Sequence, residues 1–297
     1  TRLTWLKAKP DTGRTPVTQI LNHLSDVAGR YDAIVLDQWG VLHDGSAPYP
    51  SALTALDVLR DSAAKIGVLS NSGKRAGLNV ERIAAMGFDT DTLDCVMTSG
   101  EALWLQFASG GAQQTTLYPI EARPGDAAFW AQGLPITLVD TPQDAEAILL
   151  MGLPDGSEPD AYGAQLQTAF DRALPLYCSN PDFVSPRGGG TYVMSPGALA
   201  QRYREVGGEV QLFGKPYPSI FQAIETTLNC TPDRILMIGD SLHHDILGAQ
   251  TAGWHSLLIQ AGIHAPDIRA GHQAADIAQL ANAAAMPPPD YSLPDLR

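Results

Sequence analysis

Residues 33 to 42 read Ala-Ile-Val-Leu-Asp-Gln-Trp-Gly-Val-Leu. Four consecutive apolar residues bounded by a turn signal predict a short buried strand. The strand delivers Asp37 to its carboxyl end, and Gly40 lets the chain turn sharply just beyond it. In an open α/β sheet the ligand crevice lies outside the carboxyl ends of the strands. Asp37 is therefore a candidate nucleophile, a candidate metal ligand, or both.

The same pattern returns far downstream. Residues 235 to 245 read Ile-Leu-Met-Ile-Gly-Asp-Ser-Leu-His-His-Asp. A second apolar strand ends in Gly and Asp240, and Asp245 follows where a helix would start. Brought near Asp37, these carboxylates would repel one another unless a cation sat among them. Mg²⁺ takes oxygen ligands and suits such a set. An ordinary strand end and an Asp helix cap are the plainer alternative. His243 and His244 lie between the acidic pair, but Mg²⁺ prefers oxygen, so they are expected to face elsewhere.

Two further segments lie between these strands. Ile66-Gly-Val-Leu-Ser70-Asn71-Ser72-Gly-Lys is a strand followed by small hydroxyl and amide groups that suit a phosphate oxygen. A capped helix start would also explain it. Phe213-Gly-Lys215-Pro216-Tyr-Pro puts one Lys in a tight turn before a helix that Pro216 can open. A cation there could neutralise an Asp and a phosphate at once.

In this order the four segments resemble the haloacid dehalogenase superfamily of phosphohydrolases, and their flanking residues resemble its class IIA branch, whose members are mostly phosphatases of small phosphate esters. The resemblance covers roughly residues 30 to 290. Ser179-Asn180-Pro181-Asp182, Pro186, Gly188-Gly189-Gly190 and Pro196-Gly197 are similar to that branch's own signature. The resemblance implies a Rossmann-like parallel-sheet core with an inserted α/β cap. It implies Asp37 as nucleophile, Ser70 and Lys215 as phosphoryl holders, and Mg²⁺ held by Asp37, the Trp39 carbonyl and Asp240, with Asp245 orienting the shell.

One departure stands out. The family's first motif is Asp-x-Asp, and Trp39 occupies the place of the second Asp. In the family that side chain is the general acid and base, whereas its backbone carbonyl ligates the metal. Trp39 should therefore leave metal binding intact and delete the proton shuttle, worth roughly 10²–10⁴ in rate. A good leaving group, such as that of an acyl phosphate, would soften the loss. His43 or Asp44, in the turn just after, could replace the missing acid. An ordinary solvated turn is the alternative.

Alternation of strand and helix along the chain predicts α/β architecture with parallel strands. Helices are expected at 51–63, 74–86 and 99–109, with strands at 66–69 and 95–97. Residues 104 to 204 read as a second α/β unit, with strands at 115–118, 136–139, 147–151 and 175–178 and helices at 121–132 and 159–173. The expected organisation is a discontinuous core of 1–103 and 205–297 with a cap of 104–204. The core resumes through strand 235–238, helix 245–253 and strand 256–259. A short helical pattern runs through Val17, Ile20, Leu21 and Leu24, and residues 287 to 297 read as a Pro-rich tail. In the cap, Asp182 and Arg187 are candidate substrate contacts beside Asn71 and Ser72, since Arg suits phosphate or carboxylate. Trp104, Trp130 and Trp254 are expected in packing rather than in substrate stacking.

A net charge of −13 argues against binding nucleic acid or anionic membranes through a basic surface. The three Cys residues are scattered without metal spacing. No 18-residue apolar run and no signal-peptide pattern appears, so a reducing cytoplasm is the expected compartment. The start at Thr1 is compatible with processing. The expected partner is a small phosphorylated metabolite, with a homodimer left open. A weakly active or inactive phosphometabolite-binding protein, and a phosphotransferase or another hydrolase whose acid group comes from the cap, are the alternative functions.

Overall fold

In the computed structural model, residues 17–187 and 191–296 are described. The chain forms two compact units. One comprises the chain up to Ser70, Val80–Met97 and Phe221 onward; the other comprises Asn71–Asn79 and Thr98–Ile220.

The first unit is built on a seven-stranded sheet. Its spatial order is Gln19–Ile20, Tyr291–Leu293, His255–Ile259, Ile235–Gly239, Ala33–Asp37, Lys65–Ser70 and Cys95–Thr98. The pairings from the first of these through Lys65–Ser70 are parallel. Ala33–Asp37 and Ile235–Gly239 are adjacent and buried along their whole length. Continuous apolar runs are what a sheet covered on both faces requires. Consecutive strand residues point to opposite faces, and the packing shows it: Leu257 belongs to one core with Leu36, Leu59 and Ile66, while Leu258 belongs to another with Ile246, Ile277 and Ala281. Helix Pro50–Asp61 opens on its Pro and buries Ala52, Ala55, Leu56 and Leu59, a stripe at helical spacing.

The second unit has its own parallel sheet, ordered Val210–Leu212, Leu176–Cys178, Ala147–Leu150, Thr116–Ile120 and Thr137–Leu138. Its core gathers Ile148, Leu150, Leu176, Leu199 and Tyr203. An antiparallel hairpin, Val184–Arg187 with Thr191–Met194, completes it. The Gly188-Gly189-Gly190 segment of the sequence signature lies outside the described residues.

Several elements differ from expectation. The helical pattern near Val17 is instead the edge strand Gln19–Ile20 followed by helix Ser25–Ala28. Its register is set by the C-terminal segment: the Gln19 N–H donates to the Asp290 carbonyl and the Leu21 N–H to that of Ser292. The Pro-rich tail thus supplies a strand. The helix expected at 121–132 shrinks to Asp126–Trp130 because Pro124 and Gly125 interrupt it, and the Glu121 carboxylate caps the new start from outside. The helix expected at 159–173 begins as a tight turn, Pro159–Tyr162, before Gly163–Asp171. Asp245 does not start a regular helix but sits inside a widened turn, Leu242–Ile246, that leads into helix Leu247–Ala252. Helix Pro218–Leu228 opens at Pro218 and not at Pro216.

Candidate active site

Register places the candidate residues at one edge of the first sheet. Leu36 pairs with Ile238, and Asp37 with Leu69, so Asp240 and Ser70 fall at the same carboxyl-terminal edge as Asp37. Asp245 reaches it from the widened turn. The three side chains are buried, and one carboxylate oxygen from each lies within 4.8 Å of the others.

Backbone N–H groups aim each carboxylate. The Gln38 N–H donates to Asp37 Oδ1 at 2.7 Å, the Ile263 N–H to Asp240 Oδ2 at 3.1 Å, and the Ser241 N–H to Asp245 Oδ2 at 3.0 Å. Gly40, at φ +81°, brings its backbone so close to Asp240 that a Cβ would collide with the carboxylate. Three buried acids at this spacing are costly without positive charge among them. Hard oxygen donors fit Mg²⁺ and offer none of the soft ligands that select zinc. The widened turn at Asp245 is the kind of helix irregularity that recurs at functional sites.

Residues 34–126 match the haloacid dehalogenase-like hydrolase family model, and 212–297 match a second model described as HAD-hydrolase-like. A solved haloacid dehalogenase-like hydrolase from Brucella suis is 30% identical and superposes with a TM-score of 0.76, covering 93% of this chain and 100% of the other. This chain belongs to the haloacid dehalogenase-like hydrolase family. Human chronophin is 26% identical, over 81% of this chain and 84% of its own length. Chicken glycerol-3-phosphate phosphatase is 25% identical, over 84% of this chain and 86% of its own. The sequence-level assignment to a phosphatase-type hydrolase with a parallel-sheet α/β core stands.

In this family member the loop after Asp37 is closed on itself. The Trp39 ring meets the His43 ring edge-on at 5.4 Å between centroids, and the Arg82 guanidinium lies 5.1 Å above it. Arg82 Nη2 also donates to the Gly45 carbonyl at 2.8 Å. Gly45, at φ +95°, leaves no room for a Cβ against the indole. His43 is fully buried, and its Nδ1 accepts the Gly45 N–H at 2.9 Å. Burial, and then the positive charge of Arg82, push its pKa down to about 4. Asp44 accepts the N–H groups of Ala47 and Ser46 and the Ser46 hydroxyl, which hold its carboxyl at about 2. Tyr49 is raised by its burial and by the charges of Asp44 and Asp240. Arg82 and Tyr49 escape sequence reasoning because neither belongs to a motif.

Within the second unit, Asn71, Asp182 and Lys215 come together. The Asn71 amide donates to Asp182 Oδ1 at 2.8 Å and to the Lys215 carbonyl at 3.2 Å, and it accepts the Lys215 N–H at 2.7 Å. Lys215 is only 3% exposed, so it is no solvated surface lysine. Ser72 Oγ accepts the Lys74 N–H and an Asn79 amide hydrogen, both at 3.3 Å, the geometry of a turn leading into helix Ala76–Ala85. Arg187 lies on strand Val184–Arg187, but its side chain is outside the described residues. Burial and then the charge of His244 push the His243 pKa down, and the two rings pack edge-to-face. Trp130 and Trp254 are buried in packing, while Trp104 carries the Arg75 guanidinium over its ring at 4.0 Å.

Proposed function

We propose that this chain is a Mg²⁺-dependent phosphohydrolase that acts on a small phosphorylated metabolite, of the size of a sugar phosphate, through an aspartyl phosphate on Asp37. The buried Asp37, Asp240 and Asp245 cluster carries the reading. A glycerol-3-phosphate phosphatase among the relatives supports it.

Asp37 attacks phosphorus. Ser70 and Lys215 hold the phosphoryl oxygens, and Lys215 offsets charge. Asp37, the Trp39 carbonyl and Asp240 would hold Mg²⁺, with Asp245 orienting them; when bound, the cation neutralises charge on the phosphoryl oxygens. Such catalysis is mostly positioning and charge stabilisation. The segment 104–204 serves as the substrate-selecting cap, with Asp182 and Arg187, beside Asn71 and Ser72, as its contacts. The three cysteines are free thiols, in keeping with a reducing cytoplasm. Among the described residues no helix is long and apolar enough to cross a membrane.

The test is turnover of a panel of phosphate esters and acyl phosphates with and without Mg²⁺. Turnover should require the metal, and Asp240→Asn should weaken Mg²⁺ binding strongly by calorimetry. Unchanged affinity in that variant would sink the metal assignment. Trp39 favours one second reading, a phosphometabolite-binding protein of little activity. No turnover across the panel, with Mg²⁺ binding intact, would select it.

A further inference from the structure

We infer that the chain acts on phosphoryl compounds whose leaving oxygen departs without a proton, acyl phosphates above all. This narrows the substrate of the phosphohydrolase proposed above, and it rests on that reading.

Expelling an alkoxide from phosphorus requires proton donation as the bond breaks, whereas a carboxylate leaves readily as the anion. Among the described residues of the first unit, several side chains on the loops beside the carboxylate cluster could donate, and the hydrogen bonds of most of those named below engage them elsewhere. The loop leaving Asp37 lies against Asp240 at Gly40. Trp39, which follows the nucleophile by two positions, has no proton to transfer, and its ring is wedged between His43, Gly45 and Arg82. His43 presents its Nδ1 lone pair to the Gly45 N–H. Asp44 accepts three hydrogen bonds through one carboxylate oxygen, at 2.8 to 2.9 Å, and a carboxylate so served stays ionised. On the other side, His264 Nε2 accepts the Leu242 N–H at 3.3 Å. A neutral imidazole that accepts a backbone hydrogen bond is not a proton donor of useful strength. The Arg82 guanidinium is tied to the Gly45 carbonyl. Tyr49 remains as a hydroxyl at the end of the loop.

The step balances without an acid. An Asp37 carboxylate oxygen forms a bond to phosphorus, the bond from phosphorus to the acyl oxygen breaks, and the carboxylate leaves with the electron pair. Water then attacks phosphorus and the bond to Asp37 breaks. Inorganic phosphate is released, Asp37 is regenerated as the carboxylate, and the water's proton passes to solvent.

The experiment compares kcat/KM of the full chain with Mg²⁺ for acetyl phosphate, a series of aryl phosphates of graded leaving-group pKa, and glycerol 3-phosphate. Without an acid, rates should fall steadily as the leaving group becomes more basic. Acetyl phosphate should exceed glycerol 3-phosphate by at least roughly 10²–10⁴-fold, the factor a positioned acid is worth. Rates within about tenfold across the whole series would overturn the inference and leave the phosphohydrolase reading intact. A flat series that steepens in Tyr49→Phe would overturn it by identifying the acid. Absence of turnover on every compound would overturn the phosphohydrolase reading itself, and this inference with it.

Discussion

His43 links a loop contact to a measurable pH dependence. Its pKa is about 4 in the folded chain, against an ordinary 6.5, because burial and then Arg82 disfavour the imidazolium. The folded-state pKa is depressed, so the unfolded chain binds the extra proton between pH 6.5 and 4. Stability is therefore full above about pH 6.5, declines as the pH falls through that window, and has lost this contribution below 4, by at most about 3 kcal/mol. Asp44, held at about 2, loses its own contribution only below its ordinary 3.8 and stays out of the window. Urea denaturation at pH 7 and pH 5 should show a smaller difference in His43→Asn, whose side-chain oxygen can still accept the Gly45 N–H, than in the wild type. An equal difference would mean that His43 protonates freely in the folded state. At this scale the sequence was most informative where an apolar run ends in a carboxylate. Asp37 and Asp240 needed only the rule that strand ends line the crevice. Arg82 stacks on Trp39 only because helix Ala76–Ala85 folds beside the loop, and no local pattern announces such a contact.

Among the elements, the central strands were legible and the edges were not. Ala33–Asp37, Lys65–Ser70 and Ile235–Gly239 are apolar runs whose burial dictates their conformation. Tyr291–Leu293 follows three prolines and has no alternating pattern; it becomes a strand because His255–Ile259 offers a free edge. Asp290 anchors the entry, accepting hydrogen bonds from the Ser256 N–H and hydroxyl. Leu293 is wholly buried in the main core. Leu293→Ala should therefore cost about 2–5 kcal/mol, as fully buried leucines do. Chemical denaturation should find the loss; a cost near zero would mean the tail is detachable. The helix boundaries moved for local reasons, at Pro124, at Gly163 and in the widened turn holding Asp245.

For the whole molecule, alternating strands and helices led to two α/β units, each with its own parallel sheet. A net charge of −13 would oppose recruitment of an anionic phosphate, so local positive charge must supply the attraction. The buried Lys215 and a cation among three acids are the means proposed. The proposed reaction runs through the Asp37 carboxylate. Acid quenching during turnover of acetyl phosphate with Mg²⁺, followed by mass spectrometry of the digested chain, tests it most directly. A phosphoryl adduct is expected on the peptide that contains Asp37, with both adduct and turnover lost in Asp37→Asn. Turnover that persists in Asp37→Asn, or an adduct on any other residue, would contradict it.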